Sequence, residues 1–142
     1  MKDGNIMPAI ILMSHGHLAS QVKASAEMIL GQSLPYPTVD MAPDDGIEGT
    51  MAKLDDCLAT YQNQKRVTII ADLLGGTPCN TALLKASEDQ RIRVVTGLNL
   101  GMILESTTLQ DNDVLVSTLV SAGKTGITEP DTKSSVISDD DE

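Results

Sequence analysis

Four apolar runs, separated by stretches of helical periodicity, organise the chain. Ala9-Ile10-Ile11-Leu12-Met13 runs without a polar break and stops at Ser14-His15-Gly16, the pattern of a strand buried on both faces that delivers a histidine to its carboxyl end. Leu18, Val22, Ala26, Ile29 and Leu30 then recur at helical spacing, and Gly31 supplies the stop. Pro35 and Pro37 bracket a turn before a short second strand, Thr38-Val39-Asp40-Met41, and a loop from Ala42 to Gly46. Ile47, Met51, Leu54, Leu58 and Tyr61 predict a second amphipathic helix, with Asp44 or Asp45 as its cap.

Val67-Thr68-Ile69-Ile70-Ala71-Asp72 is the clearest strand, β-branched and ending on an acid. After Leu73-Leu74-Gly75-Gly76, Thr77 reads as an N-cap and Pro78 as the first residue of a helix to Ser87. Arg91 to Thr96 is a fourth strand with Gly97 to Gly101 as its exit loop, followed by a helix from Met102 to about Leu109. Asp111-Asn112-Asp113 caps a last helix over Val114 to Ala122, closed by Gly123, although Val114-Leu115-Val116-Ser117-Thr118 is β-rich. Gly126-Ile127-Thr128 is the one candidate for a further edge strand. The β-α alternation predicts a doubly wound, three-layer α/β domain with a mainly parallel four-stranded sheet, with a fifth C-terminal edge strand as an addition.

Composition adds constraints. At 142 residues the chain fits one domain, whose core must be aliphatic because Trp and Phe are absent and Tyr36 and Tyr61 are the only aromatics. Ten basic residues against 20 acidic ones give a net charge of −10, which argues against nucleic acid or an anionic membrane as the main partner. Six acids from Glu129 onward face a single base, Lys133, so residues 129–142 carry −5 of that charge and are expected to form a solvated, disordered tail to a domain spanning 1–128. Cys57 and Cys79 form no CxxC and have no histidine at ligand spacing, so two reduced thiols and no metal are expected. The N-terminal apolar run is too short for a signal peptide or a membrane span, which predicts a cytoplasmic protein.

Two strand-to-helix junctions carry the candidate chemistry. If the first and third strands are neighbours, His15 and Asp72 share one crevice; an aspartate on Nδ1 then fixes the tautomer and leaves Nε2 as a nucleophile able to take a phosphoryl group. The plain alternative is a histidine that satisfies a turn and an aspartate that caps backbone. Gly75-Gly76-Thr77-Pro78 is in outline an anion site, with glycines that admit close approach and a helix start that offers free N–H groups. It lacks Walker A and GxGxxG spacing, so no nucleotide is implied, and alone it is equally a capped turn. Its position just after Asp72 makes it a phosphate pocket beside His15. His17 reads as a surface or capping residue and Cys79 as a small packed one.

With Ser14-His15-Gly16, the Asp72 to Asn80 loop (D-x-x-G-G-[ST]-P-x-N) and Gly97-Leu98-Asn99-Leu100-Gly101-Met102 in place, the chain resembles, from about Pro8 to Gly126, the enzyme IIA domain of the mannose/fructose/sorbose family of the bacterial phosphoenolpyruvate-dependent sugar phosphotransferase system. The resemblance implies a cofactor-free phosphotransferase component. His15 would be phosphorylated on Nε2 by the histidine-containing phosphocarrier protein and would pass the group to a IIB subunit or domain, with membrane permease subunits involved only indirectly. Asp72 would orient the ring, Ser14, Gly75, Gly76, Thr77 and Asn80 would line the phosphate pocket, and Asn99 would lie at its rim. It also implies a homodimer that exchanges a C-terminal strand. Gly101 stands where the family often has proline, Cys79 where an aromatic is common, and the chain after Gly126 is poor in strand formers. Two other readings share the fold: the phosphotransfer subunit of phosphoenolpyruvate-dependent dihydroxyacetone kinase, and a purely regulatory domain.

Overall fold

The computed structural model describes residues 7–133. Four strands form one parallel sheet in the order β2-β1-β3-β4: β1 (Ile10–His15), β2 (Thr38–Met41), β3 (Val67–Ala71) and β4 (Ile92–Thr96). Five helices join and cover them: α1 (Leu18–Leu30), α2 (Gly46–Ala59), α3 (Thr77–Glu88), α4 (Leu100–Ser106) and α5 (Leu115–Thr125). The winding runs from β1 outward to β2, crosses back to β3 and continues to β4. The switch in direction therefore falls between β1 and β3, and in open α/β sheets ligands bind beyond the carboxyl ends of the strands at such a point.

Alternation along the central strands fills both sides of the sheet. Ile10 and Leu12 of β1 and Ile70 of β3 pack with Ala19, Ala26, Met102, Ile103 and Leu119 in a core shared with α1, α4 and α5. Ile11 and Met13, with Val67 and Ile69, pack with Leu54, Cys57, Leu58 and Ala82 beneath α2 and α3. This two-sided burial is why these strands read as continuous apolar runs. On the first side Tyr36 is fully buried, and its hydroxyl meets Ser106 Oγ at 2.7 Å, which in turn donates to the Ile103 carbonyl at 2.6 Å.

Several boundaries differ from the expectation for physical reasons. Gly76, in extended conformation, is the N-cap of α3, so Thr77 is already helical, and its carbonyl accepts from Thr81 Oγ1 at 2.8 Å. Asp45 flanks α2 without capping it through its side chain. Residues 115–125 are helical, with Leu115, Leu119 and Gly123 buried four apart, so the helical period prevails over the β-rich composition. Gly123 lies inside that helix and does not end it. A Cβ there would stand 2.8 Å from Met102 Cε and 3.0 Å from Asn99 Nδ2, so the glycine serves close packing of α5 on the α4 start. The helix ends at Gly126, and Gly126-Ile127-Thr128 forms no strand. Residues 129–133 take no helix or strand; the rest of the expected acidic tail lies outside the described residues. No helix among the described residues is long and apolar enough to cross a membrane.

Candidate functional site

The parallel register pairs Met13 with Ala71, so His15 and Asp72 leave adjacent strands at one level. The Asp72 N–H donates to the Met13 carbonyl at 3.1 Å, extending the ladder by one residue and fixing the base of the aspartate side chain. Its Oδ2 accepts the His15 main-chain N–H at 3.0 Å and faces His15 Nδ1 at 2.8 Å. An ionised carboxylate only accepts, so Nδ1 carries the hydrogen and Nε2 holds the lone pair. Asp72 is 10% exposed and His15 45%, so the acid is shielded while the imidazole is presented to solvent. Oδ1 of Asp72 is buried without a hydrogen-bond partner among the described residues; both donors converge on Oδ2.

The glycines shape the space around the ring. Gly16 leaves β1 at φ +55° and Gly75 turns at φ +89°, values that side chains disfavour. A Cβ on Gly76 would stand 2.6 Å from His15 Cε1 and 3.2 Å from Nε2, so only glycine lets this backbone lie against the ring. The start of α3, whose first N–H groups have no intrahelical acceptor, therefore sits against the nucleophilic edge of the imidazole.

The remaining predicted residues divide. Asn80 closes the glycine loop, donating through Nδ2 to the Gly75 carbonyl at 3.3 Å. Ser14 is fully buried under the turn: its hydroxyl accepts from Ala19 N–H at 2.7 Å and donates to the Gly16 carbonyl at 3.2 Å. Asn99 caps α4, accepting from Met102 N–H at 3.2 Å, while its Nδ2 reaches the carbonyls of Gly97 at 3.0 Å and Gly123 at 3.5 Å. The structure thus spends the polar atoms of Ser14 and Asn99 on holding the loops. Cys79 is fully buried, and no three acidic, histidine or cysteine side chains gather as a metal cage among the described residues.

Asp40, which the sequence reading passed over, organises the other flank. Its Oδ2 accepts from Ser20 Oγ at 2.6 Å and faces His17 Nδ1 at 3.2 Å, and its Oδ1 accepts from Ser20 N–H at 3.2 Å. Lys53 Nζ donates to the Asp40 carbonyl at 3.0 Å and to Asp45 Oδ2 at 2.7 Å. The Lys53 bond, helped by the Ala42 N–H, holds the Asp45 carboxyl below its ordinary range. Gly16 N–H bonds the Met41 carbonyl at 2.9 Å, so the turn carrying His15 is tied to β2 as well as to β3. The signal was available: the second strand carries an aspartate near its carboxyl end, as the third ends on one.

An all-parallel α/β domain that presents one carboxylate-held imidazole at its switch point, against a glycine-rich helix start, has the outline of a site that could receive an anionic group beyond the strand ends. Comparison with known proteins specifies the class. The family model described as the fructose IIA component of the phosphotransferase system (EIIA-man) matches residues 9–121. The sorbose-specific EIIA component of Lacticaseibacillus casei is 32% identical over 112 residues, covering 79% of this chain and 80% of that protein. The mannose-specific EIIAB component of Escherichia coli K12 is 30% identical over 123 residues; the match takes in 84% of this chain, which spans only 38% of that longer relative. Among solved structures, the mannose/sorbose-specific IIA subunit from Enterococcus faecalis superposes with a TM-score of 0.82 at 38% identity, covering 89% of this chain and 96% of that one. The chain belongs to the mannose/fructose/sorbose family of phosphotransferase-system IIA components.

Proposed function

We propose that this chain is a cytoplasmic phosphohistidine carrier for sugar uptake, with Nε2 of His15 as both acceptor and donor. The lone pair of Nε2 attacks the phosphorus of a phosphohistidine on the phosphocarrier protein, the donor N–P bond breaks, and the donor imidazole leaves. The proton on Nδ1 stays against Asp72, whose charge offsets the positive charge the ring gains. In the second transfer the same steps run from His15 to a IIB partner. The reaction moves a phosphoryl group between similar imidazoles, so positioning and N–H groups facing the transferred oxygens are what the protein must supply. Gly75, Gly76, Thr77 and Asn80 are assigned to that cradle, with Ser14 and Asn99 supporting it.

The observation that carries this reading is the 2.8 Å contact between His15 Nδ1 and Asp72 Oδ2 with Gly76 against the free edge of the ring. Leu18, Leu73 and Leu74, which flank these residues in sequence, are 46%, 60% and 73% exposed, an apolar margin suited to a protein donor. Incubation with labelled phosphoenolpyruvate and the two general phosphotransferase proteins should label the chain, and His15→Ala should abolish the label. Undiminished labelling of that variant would overturn the assignment.

A homodimer also fits this reading. Among the described residues β4 pairs only with β3 in the sheet, and a groove of about 410 Å³ beside it is lined by Val95, Val116, Val120 and Ile127, the last 81% exposed. A second copy laid along this edge would cover it. Light scattering that gives a monomer mass at micromolar concentration would remove the dimer.

A further inference from the structure

The main chain around His15 is held from two sides. On the β3 side Asp72 Oδ2 takes the His15 N–H. On the β2 side the hydrogen bonds close a circuit. Asp40 accepts the Ser20 N–H on Oδ1 at 3.2 Å and the Ser20 hydroxyl on Oδ2 at 2.6 Å. The neighbouring Ala19 N–H donates to Ser14 Oγ at 2.7 Å, and Ser14 Oγ donates to the Gly16 carbonyl at 3.2 Å. The Gly16 N–H then returns to the carbonyl of Met41, the residue after Asp40, at 2.9 Å. Strand register agrees, with Ser14 opposite Asp40 and His15 opposite Met41. His15 is thus enclosed between Ser14 and Gly16, the two β1 members of the circuit.

The circuit depends on a carboxylate from another element. α1 has no side-chain cap at its N-cap residue and no acid in its first turn, so Asp40 supplies from β2 the acceptor that the helix start lacks. Lys53 Nζ holds the Asp40 carbonyl at 3.0 Å, which fixes the strand end behind that carboxylate. The start of α3 is treated differently: among the described residues no side chain caps it. One helix start is therefore closed by a carboxylate, and the other stays open beside the ring. The ring itself has little room. Nδ1 lies 2.8 Å from Asp72 Oδ2, and a Cβ on Gly76 would stand 2.6 Å from Cε1, so the imidazole is confined between a carboxylate and a backbone. A turn released on the β2 side carries the ring out of that space.

On the reading that His15 is the acceptor, we propose that Asp40 is a positioning residue for the transfer: by capping α1 through Ser20 it locks the turn that carries His15, so that Nε2 is held against the start of α3. Asp40 makes no hydrogen bond to the His15 ring and acts through the Ser14 to Gly16 turn. Misplacing a reacting group by about 1 Å costs up to roughly 100-fold in rate, so a loosened turn is enough to register in the chemistry.

The test is single-turnover transfer of label from the phosphorylated phosphocarrier protein to the full chain, over a range of phosphocarrier concentrations, for the unmodified chain, Asp40→Ala and Asp40→Asn. The maximal rate should fall roughly 10- to 100-fold in Asp40→Ala, with the half-saturating concentration unchanged. It should fall less in Asp40→Asn, because asparagine keeps an acceptor for the Ser20 N–H. Nuclear magnetic resonance of the His15 ring should show the Nδ1–H tautomer alone in the unmodified chain and both tautomers in Asp40→Ala, although Asp72 is intact. Tyr36→Phe, a core substitution outside the circuit, should lower the thermal midpoint and leave both readouts as they are. An Asp40→Ala chain that loses thermal stability but keeps its maximal rate and its single tautomer overturns the proposal, since Asp40 is then a helix cap only and His15 remains the acceptor. A defect expressed only as a higher half-saturating concentration overturns it as well, by placing Asp40 in docking. Should Asp40→Ala not fold, Asp40→Asn decides by the same two readouts. Absence of label from the unmodified chain overturns the reading of His15 and this proposal with it.

Discussion

One carboxylate oxygen, Oδ2 of Asp72, takes both the main-chain N–H of His15 at 3.0 Å and the Nδ1 edge of its ring at 2.8 Å. The same atom therefore fixes the backbone from which the side chain springs and the rotation of the ring. Asp72→Asn keeps the shape but removes the charge that offsets an imidazole carrying a phosphoryl group. A charge-assisted hydrogen bond contributes about 1.5–3 kcal/mol, so transfer should slow roughly 10- to 100-fold with the fold intact. Rapid-quench kinetics check this; an unchanged rate would show that Asp72 does not act on the ring.

Gly76 and Gly75 separate local chemistry from backbone strain. Gly76 has an extended φ of −80°, so Gly76→Ala meets no conformational penalty, but its methyl carbon would fall 2.6 Å from His15 Cε1. The ring must move, and labelling of His15 should fall at least tenfold with little change in thermal midpoint. Gly75→Ala meets nothing within 4 Å but must hold φ +89°, so its cost should show as about 1–2 kcal/mol of lost stability. Chemical denaturation and labelling of the two variants should give opposite patterns; the same pattern for both would contradict this division.

How far the site could be read beforehand follows from which contacts are local. The runs Ile10 to Met13 and Val67 to Ala71 betray themselves because burial on both faces leaves no polar position. Their adjacency is another matter: His15 and Asp72 are 57 residues apart, and strand order is a property of the whole winding, so the residues alone made the pair conditional and the family resemblance carried the rest. Asp40 was missed because Thr38–Met41 is short and its partners Ser20 and His17 belong to another element. Gly123 was misread as a helix stop because a glycine that admits Met102 looks the same in sequence as one that ends a helix. Gly76 replaced Thr77 as cap for a related reason, since the closeness of the His15 ring, not capping chemistry, decides that position.

The buried Tyr36 to Ser106 contact makes an asymmetric prediction. Ser106 Oγ donates to Ile103, so the Tyr36 hydroxyl is the donor in their 2.7 Å contact. Tyr36→Phe removes that donor and leaves Ser106 bonded to Ile103, a loss of about 1 kcal/mol. Ser106→Ala strands a phenolic hydroxyl at zero exposure, which costs about 1–3 kcal/mol for the unpaired group. Ser106→Ala should therefore be the more destabilising in urea denaturation, although each substitution removes a single hydroxyl oxygen; the reverse order would refute the assigned direction of the bond.

At the alkaline end, three weak acids act in one direction. Burial, with the Asp56 charge adding to it, pushes the Cys57 thiol from 9.0 up to about 11. Burial also raises the Tyr36 and Tyr61 hydroxyls, against smaller opposing effects of their hydrogen bonds to Ser106 and Ile10. A group whose pKa is higher in the folded state keeps its proton after the unfolded chain has lost it. Its contribution to stability is complete below the unfolded value and is lost as pH climbs through the folded one, here between about pH 9 and 11 for Cys57. Urea midpoints at pH 8, 9, 10 and 11 should fall with increasing steepness, and Cys57→Ala should flatten the slope by up to one proton, about 1.4 kcal/mol per pH unit. The same burial predicts that Cys57, 8% exposed, reacts with a thiol reagent at pH 8 only as fast as the chain opens. Parallel slopes for the two proteins, together with rapid native-state labelling of Cys57, would show that this thiol is neither buried nor raised.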